Sequence, residues 1–214
     1  MVQVHINNFS SLATHNLLLL LMLTLSPFVK YYLDNILYIP KEKTQMGYSI
    51  GVISDTHGNL KLMTKVCDFL SEIMKVNEIF HLGDNYEDYK TIKDMGYNIY
   101  GVPGLWDSEY HDNVTPKIII RKIANKNFIF AHAEFIIKRL NRKDLDVWCY
   151  GHTHQPEIRK ENSRIYFNPG HLKKNFDRGH PATFGIVNIK EGSIEFTILD
   201  IEKNMVQSLN YPLV

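Results

Sequence analysis

The sequence has few cysteines and little net charge, and each shortage excludes a class of protein. Its 214 residues include only two cysteines, Cys67 and Cys149, and both fall within apolar segments. This usage indicates reduced core thiols rather than the disulfide framework of a small secreted protein. Lysine and arginine total 24 against 23 acidic residues, so no global field attracts nucleic acid or an anionic membrane. We therefore expect a cytoplasmic protein without a strong nucleic-acid signal.

Membrane-spanning apolar runs are lacking as well. The main run, residues 17–25, is shorter than the roughly 20 residues that a transmembrane helix needs, and no lysine or arginine precedes it. These features argue against both a membrane span and a secretory signal. Met46 stands directly before the first convincing strand. We predict an amino-terminal appendage at residues 1–45 and a single domain at residues 46–214.

Strands and helices alternate after Met46. Apolar, β-rich runs predict strands at 48–54, 78–82 and 97–102, and helical periodicity predicts helices between them at 60–76 and 87–95. This order implies parallel pairing. Beyond a further helix at 134–142, strands dominate, and they are predicted at 117–123, 127–131, 146–150, 164–167, 183–189 and 194–201. We predict an α/β fold with two packed mixed β-sheets flanked by helices.

The sequence is rich in histidine, and several predicted strands end in an imidazole or a carboxylate. Ligands bind at the carboxyl ends of strands in open α/β sheets, so these side chains are expected to converge. Imidazole nitrogens combined with carboxylate oxygens suit one or two first-row divalent ions, with Mn preferred and Fe, Ni, Co or Zn as alternatives. The residues concerned are Asp55, His57, Asp84, His132, His152 and His154.

Each of these residues alone is weak evidence, because a single histidine at a strand end is often a core or supporting residue. The joint pattern carries the hypothesis, above all the segment Gly151-His152-Thr153-His154. Gly83 and Gly151 permit the sharp turns that bring short side chains to one centre. Two divalent ions can activate water and stabilise both oxygens of an in-line displacement at phosphorus. The pattern therefore predicts phosphoester hydrolysis.

In their order along the chain, these residues resemble the motifs of the calcineurin-like metallophosphoesterases, most of all the small single-domain prokaryotic phosphodiesterases. The retromer scaffold subunit shares that fold. The resemblance covers about residues 48–201, and supporting segments lie at 54–59, 150–154, 168–170 and 181–187. It implies catalytic roles for Asp84 and His152, with Asp84 bridging two metals. It also implies a first metal held by Asp55, His57, Asp84 and His154, and a second held by Asp84, His132 and His152.

One loop departs from the family pattern. The family has a Gly-Asn motif after its third strand, whose Asn ligates the second metal and often precedes a proton-donating His. Here the residues are Gly104, Leu105, Trp106 and Asp107. Leucine cannot ligate, and tryptophan cannot deliver a proton at neutral pH. We expect Asp107 to point elsewhere unless the loop is rebuilt, and the second metal to bind more weakly, with water completing its shell.

Four further residues are candidates for the site, and three of them have a simpler alternative interpretation. Asn59 is a candidate phosphate-binding residue at a helix start, or a plain helix cap. His171 is a candidate catalytic acid in place of the missing histidine. His111 could do the same, although a solvated loop histidine is the default reading. His81 is expected behind the metal site, or as an ordinary core residue.

Charged residues near the predicted site have two readings as well. Lys173, Lys174 and Arg178 form a basic cluster that could orient a phosphate, although such runs are commonly solvated surface. Glu134 follows His132 and Ala133 where the family has Gly-His. It could act as an acceptor near the metal site, although the charge of a helix start explains it equally well.

The sequence leaves three functional hypotheses open. The first is a metal-dependent phosphoesterase acting on phosphodiesters or activated phosphomonoesters, with a small, nucleotide-like substrate. The second is a non-catalytic scaffold, favoured if Trp106 and Tyr110 form an exposed hydrophobic patch. The third is a protein with one structural or regulatory metal and no turnover. Homo-oligomer formation stays open under each of them.

Overall fold

Two six-stranded β-sheets carry most of the chain in the computed structural model, which describes residues 36–43 and 47–213. The strands are β1 Ile36–Lys43, β2 Ser49–Ile53, β3 Glu78–His81, β4 Ile99–Gly101, β5 Ile118–Ile123, β6 Lys126–Ala131, β7 Val147–Cys149, β8 Glu157–Glu161, β9 Arg164–Asn168, β10 Phe176–Asp177, β11 His180–Pro181, β12 Thr183–Lys190, β13 Ser193–Asp200 and β14 Met205–Pro212. The helices are α1 Leu60–Asp68, which continues as the π-helical segment Phe69–Ile73, α2 Tyr86–Asp94, α3 Ser108–His111 and α4 Glu134–Arg139.

Both sheets are mixed. The first has the order β14-β13-β12-β2-β3-β4, and β2, β3 and β4 run parallel as their strand-helix alternation predicts. The second has the order β1-β5-β6-β7-β9-β8, with β6, β7 and β9 parallel. The predicted hairpins β5–β6 and β12–β13 are antiparallel. The predicted fold class is confirmed.

The main core lies between the two sheets because side chains alternate along each strand. Val52 of β2 and Phe80 of β3 project from one sheet, and Phe128 and Phe130 of β6 project from the other. The rings of Phe80 and Phe130 stack with their centroids 3.8 Å apart. This contact fixes β3 against β6, the two strands that lead into Asp84 and His132.

Helices cover the outer face of each sheet. Met63 and Val66 of α1 and Ile92 of α2 pack on Ile53 and Ile79 of the first sheet. On the second sheet, Ile136 and Ile137 of α4 pack on Ile118, Ile120 and Ile129. Cys67 and Cys149 are buried and form no disulfide, as predicted. Within 36–43 and 47–213, no helix combines the length and the apolar character that a bilayer crossing requires.

The strands that prediction missed lie in polar or exposed sequence. β8 has the sequence Glu-Ile-Arg-Lys-Glu and β14 is largely exposed, so neither shows the apolar alternation of a half-buried strand. β1 belongs to the predicted appendage, yet its backbone pairs in parallel with β5, with Ile36 opposite Ile118. The apolar run at 17–25 lies outside the described residues. The domain boundary at Met46 stays a prediction.

Candidate metal centre

All six predicted ligand residues meet at one edge of the paired sheets. Asp55 and His57 follow β2, Asp84 follows β3, His132 follows β6, and His152 and His154 follow β7. Their potential ligand atoms form two groups, within each of which the atoms lie within 4.8 Å of one another. The first group contains Asp55, His57, Asp84 and His154, and the second contains Asp84, His132 and His152.

The distances within these groups match those between ligands of one small cation. In the first group, His57 Nε2 lies 3.1 Å from His154 Nε2, which lies 3.3 Å from Asp55 Oδ1. In the second, His132 Nε2 lies 3.2 Å from His152 Nδ1. Ligands about 2.1 Å from a metal and at right angles to each other are roughly 3 Å apart. The nitrogens therefore have the spacing of neighbouring metal ligands.

Asp84 joins the two groups through its two carboxylate oxygens. Its Oδ1 lies 3.3 Å from His132 Nε2, and its Oδ2 lies 3.5 Å from His57 Nε2. Each oxygen thus faces one group, which is the placement that a bridging carboxylate requires.

Two buried carboxylate oxygens face these groups without a hydrogen-bond partner. Ser54 Oγ and the His152 backbone N–H both donate to Oδ2 of Asp55, at 2.5 and 2.9 Å. Asp55 Oδ1 and Asp84 Oδ1 have no partner among the described residues. A buried acceptor in this condition destabilises the fold unless something else neutralises it. A divalent cation would do so, and the residues present therefore fit metal binding.

Contacts behind the site orient two of the imidazoles. His132 Nδ1 lies 2.8 Å from the Leu82 carbonyl oxygen and donates to it. His154 Nδ1 lies 2.6 Å from Asp177 Oδ2 and donates in the same way. With the ring proton on Nδ1, each Nε2 keeps a free lone pair that is directed into one of the two groups of potential metal ligands. Sequence reasoning missed Asp177, because it lies in the two-residue strand β10 among basic residues rather than at the end of a core strand.

We expect Asp177→Ala to weaken metal binding by about 10- to 100-fold, since the carboxylate fixes the tautomer and the ring plane of His154. Calorimetric titration of the metal-free protein with Mn²⁺ measures the change. Asp177→Asn keeps an acceptor oxygen and should fall between the wild type and Asp177→Ala. Unchanged affinity in Asp177→Ala would contradict a positioning role.

Five of the six residues have left-handed backbone conformations. Their φ angles lie between 47° and 69°, a region that residues other than glycine seldom occupy and that costs on the order of 1 kcal/mol or more each. Such strain concentrates at functional sites, where it directs side chains that a regular strand would turn away. The residues are Asp55, His57, Asp84, His152 and His154.

Two glycines make the close approach of the loops feasible, as the sequence predicts. Gly83 has φ +98°, and a Cβ there would lie 2.8 Å from His132 Nδ1. A Cβ on Gly151 would lie only 1.9 Å from Ser54 Oγ and 2.5 Å from Asp55 Oδ2. Any larger residue at position 151 would displace the carboxylate from its donors.

The environment shifts the pKa values of the two carboxyl groups in opposite directions. Burial raises the pKa of Asp84, and the nearby charge of Asp55 adds to the rise against the opposing effect of His132. Burial acts in the same sense on Asp55, but contacts with His154, His132 and Ser54 outweigh it and lower that pKa. The surroundings of Asp55 therefore stabilise its ionised form, whereas those of Asp84 destabilise the ionised form of that carboxyl group.

The two imidazoles at the open side of the site, those of His57 and His152, have lowered pKa values, which favours their neutral form. Burial, opposed in part by neighbouring carboxylates, lowers the pKa of His57. Burial lowers the pKa of His152, and the neighbouring His132 ring acts in the same direction. The neutral form of imidazole is the one that ligates a metal.

The altered loop supplies no ligand to the second group. Leu105 turns away from the site and packs on the apolar cluster beneath α4. Asp107 accepts hydrogen bonds from the backbone N–H groups of Asn85 (3.1 Å) and Gly104 (2.7 Å), so its carboxylate restrains the loop. Trp106 is 86% exposed. Among the described residues, the second group has three donor residues.

Contacts favour the structural reading of two further candidates. Asn59 caps α1 by accepting from the Leu62 N–H at 3.3 Å, and its Nδ2 donates to the Lys173 carbonyl at 3.0 Å. His171 is fully buried behind His154, with ring centroids 5.2 Å apart. It has no exposed surface through which to reach a substrate. Neither the phosphate-binding role of Asn59 nor the acid role of His171 gains support from these positions, and both stay predictions.

His81 and His111 have different surroundings. His81 is buried, its Nε2 lies 3.3 Å from Thr56 Oγ1, and burial lowers its pKa to about 3. It therefore lies directly behind the loop that carries Asp55 and His57. His111 is exposed, and its Nε2 lies 3.1 Å from the Leu105 carbonyl oxygen.

Charged candidates near the site form ion pairs. Lys174 Nζ lies 3.1 Å from Asp177 Oδ1, and Lys173 Nζ lies 4.0 Å from the same oxygen. Arg178 donates to the His152 carbonyl oxygen at 3.0 Å. Glu134 begins α4 and pairs with Lys138 at 3.0 Å, which matches the helix-start reading.

The protein has a two-sheet α/β fold, and its strand ends bring together two adjoining sets of nitrogen and oxygen donors. This combination defines a class of metallophosphoesterase-like proteins. The chain belongs to the calcineurin-like phosphoesterase superfamily, whose domain model matches residues 48–192. A phosphodiesterase of Methanocaldococcus jannaschii is 25% identical over 137 residues, which cover 56% of this chain and 82% of that protein.

Solved structures share the fold at lower identity. The phosphoesterase Yfce from E. coli superposes with a TM-score of 0.61 and 19% identity, over 76% of this chain and 99% of its own. Vacuolar Protein Sorting 29 from Cryptosporidium parvum superposes with a TM-score of 0.60 and 16% identity, over 78% of this chain and 100% of its own. The expected resemblance to small phosphoesterases and to the retromer subunit is confirmed.

Proposed function

We propose that the protein is a metal-dependent phosphoesterase of the cytoplasm that hydrolyses phosphodiesters or activated phosphomonoesters. One observation carries the proposal, namely that Asp84 presents one carboxylate oxygen to each of two adjoining donor groups. Divalent ions, when bound, would supply an activated water molecule and polarise the phosphoryl oxygen. The remaining catalytic work falls to the protein's own residues.

The protein's part in this chemistry is to hold its donors rigidly. Asp55 is fixed by Ser54 and the His152 backbone, and His154 is fixed by Asp177. Preformed donors need no reorganisation when charge develops on a reacting phosphate. His57 and His152 border the open side, and Asp84, Asn85 and Asp107 line the cavity beside it. Divalent ions, when bound, would offset the negative charge of Asp84 and let an anionic phosphoryl group approach.

The site favours substrates with good leaving groups. Trp106 occupies the position where a histidine would protonate the departing oxygen, and indole donates no proton at neutral pH. His171 is buried and His111 donates toward the Leu105 carbonyl. We therefore propose activated esters, such as aryl phosphodiesters, as the better substrates.

The proposal is tested by the metal dependence of hydrolysis. We expect the 214-residue protein, stripped of metal with a chelator, to hydrolyse bis(p-nitrophenyl) phosphate at least about 100-fold faster after Mn²⁺ is added. Zn²⁺, Fe²⁺, Co²⁺ and Ni²⁺ are compared under the same conditions. Absence of hydrolysis with every one of these ions would refute the enzyme proposal.

A scaffold function is the second candidate, and the exposure of the altered loop favours it. Trp106 is 86% exposed, and Val114, which lies beyond α3, is 83% exposed. Large exposed apolar groups are common at partner surfaces. Tyr110, however, is partly buried against the apolar cluster beneath α4, so it adds less to this surface than Trp106 does. Stoichiometric metal binding without turnover would favour the scaffold.

A further inference from the structure

A single aromatic side chain forms one wall of a cavity beside the first donor group. The cavity measures about 260 Å³ and is lined by His57, Asp84, Asn85, Trp106 and Asp107. Tryptophan has the largest apolar surface of any side chain and is usually well buried. Here the indole is 86% exposed, directly next to two of the residues proposed to hold metal.

The turn that carries Trp106 is held from both ends. The Asp107 N–H donates to the Gly104 carbonyl at 3.1 Å, and the Gly104 N–H donates back to Asp107 Oδ2 at 2.7 Å. Leu105 is anchored in the apolar cluster beneath α4, and His111 donates to its carbonyl at 3.1 Å. Because Leu105 is partly buried against this cluster and the hydrogen bonds restrain the turn, the backbone presents Trp106 outward in a fixed position.

The other walls of the cavity are polar. Asp84, Asn85 and Asp107 offer oxygen and nitrogen atoms, whereas Trp106 contributes the flat apolar surface. A substrate whose phosphate lies at His57 and Asp84 would therefore extend its ester group across the indole. A flat ring gains from such stacking, as nucleobases do on aromatic side chains in nucleic-acid complexes, whereas a small alkyl group does not.

We propose that Trp106 is a specificity-determining residue that stacks on an aromatic ring in the retained ester group of the substrate, the group that stays on phosphorus after hydrolysis. This inference rests on the proposed phosphoesterase function. It narrows the substrate class to phosphodiesters that carry a flat ring, whether a nucleobase or an aryl group. The loop that lacks the family's usual ligand thus supplies a binding surface instead.

Matched substrates test the proposal. Thymidine 5′-(p-nitrophenyl phosphate), phenyl p-nitrophenyl phosphate and methyl p-nitrophenyl phosphate release the same leaving group and differ only in the retained ester. We expect wild-type protein with Mn²⁺ to favour the ring-bearing esters. Trp106→Ala should reduce the ratio of their kcat/KM to that of the methyl ester by about 5- to 30-fold, chiefly through KM. Trp106→Phe should retain most of the preference.

The controls separate this inference from the function on which it rests. Ile73→Ala removes another exposed apolar side chain, 69% exposed and outside the lining of the cavity, and should leave the ratio unchanged. If wild-type protein hydrolyses none of the three esters, the phosphoesterase proposal fails. If it hydrolyses them and Trp106→Ala leaves the ratio unchanged, only the stacking proposal is overturned. A ratio that falls for the thymidine ester alone identifies a nucleoside substrate, and one that falls for both ring-bearing esters identifies aromatic esters in general.

A binding measurement complements the kinetics. The chain has two tryptophans, and Trp148 is 5% exposed, so ligand-dependent quenching reports mainly on Trp106. We expect thymidine 5′-phosphate to quench the fluorescence of the wild-type protein and inorganic phosphate not to do so. The thymidine-dependent component should disappear in Trp106→Phe. Its persistence there would contradict stacking on Trp106.

Discussion

Replacing Asp84 with asparagine is expected to lower kcat/KM for bis(p-nitrophenyl) phosphate by at least about 10³-fold. Asp84 is the one residue shared by both donor groups, with Oδ1 at 3.3 Å from His132 Nε2 and Oδ2 at 3.5 Å from His57 Nε2. An amide of the same shape removes the negative charge and leaves an N–H₂ group facing one set of nitrogens. Both groups should therefore lose affinity at once, which metal analysis after dialysis would measure.

The same change should not unfold the metal-free protein. Asp84 Oδ1 is buried without a hydrogen-bond partner, and the Asp55 carboxylate lies close by. Removing one of two like charges relieves repulsion, so we expect the thermal midpoint of the metal-free variant to equal or exceed that of the wild type. Asp144→Asn, at an exposed carboxylate paired with Arg142, is the matched control and should change neither property. Retention of full activity by Asp84→Asn would refute the bridging role.

Much of the fold could be predicted because the central strands are apolar runs separated by amphipathic helices. β2, β3 and β4 appear at the predicted places and in the predicted parallel arrangement. Periodicity could not locate β8 or β14, since an exposed or charged strand shows no buried face. Nor could it predict that the helix starting at Leu60 changes to π-helical geometry at Phe69, because side-chain spacing hardly differs between the two forms.

The site could be predicted to the extent that its residues lie at strand ends. Asp55, His57, Asp84 and the three histidines at the ends of β6 and β7 follow from that rule alone, and they converge in the fold. Asp177 could not be found in this way, since it belongs to the short strand β10 and reaches His154, 23 residues earlier, only through the tertiary structure. Leu105 points into the protein and Trp106 points out because the apolar cluster beneath α4 covers one side of their turn. The spacing of residues along the sequence does not specify which side is covered.

A buried ion pair between the two sheets is a further feature that sequence patterns did not indicate. Arg121 of β5 donates to Glu78 of β3, so the pair connects the two sheets through the core, and both side chains are 4% exposed. The guanidinium group lies 5.0 Å from the ring centroid of Tyr100. Three polar atoms of the pair, namely Glu78 Oε1 and Arg121 Nε and Nη1, have no hydrogen-bond partner among the described residues. The interaction between the two side chains therefore offsets only part of the free energy that it costs to remove their charges from water.

We expect Arg121→Met to reduce the free energy of unfolding by about 3–5 kcal/mol, because it leaves the Glu78 carboxylate buried and unpaired. The double variant Glu78→Met/Arg121→Met removes both charges and should recover most of this loss, since apolar replacement of a buried pair is often neutral or stabilising. Urea denaturation of the metal-free protein measures both. Lys190→Met, which breaks the exposed pair with Glu195 (2.8 Å), should cost less than about 1 kcal/mol. A double variant as unstable as the single one would show that side-chain packing, not the unpaired charge, accounts for the loss.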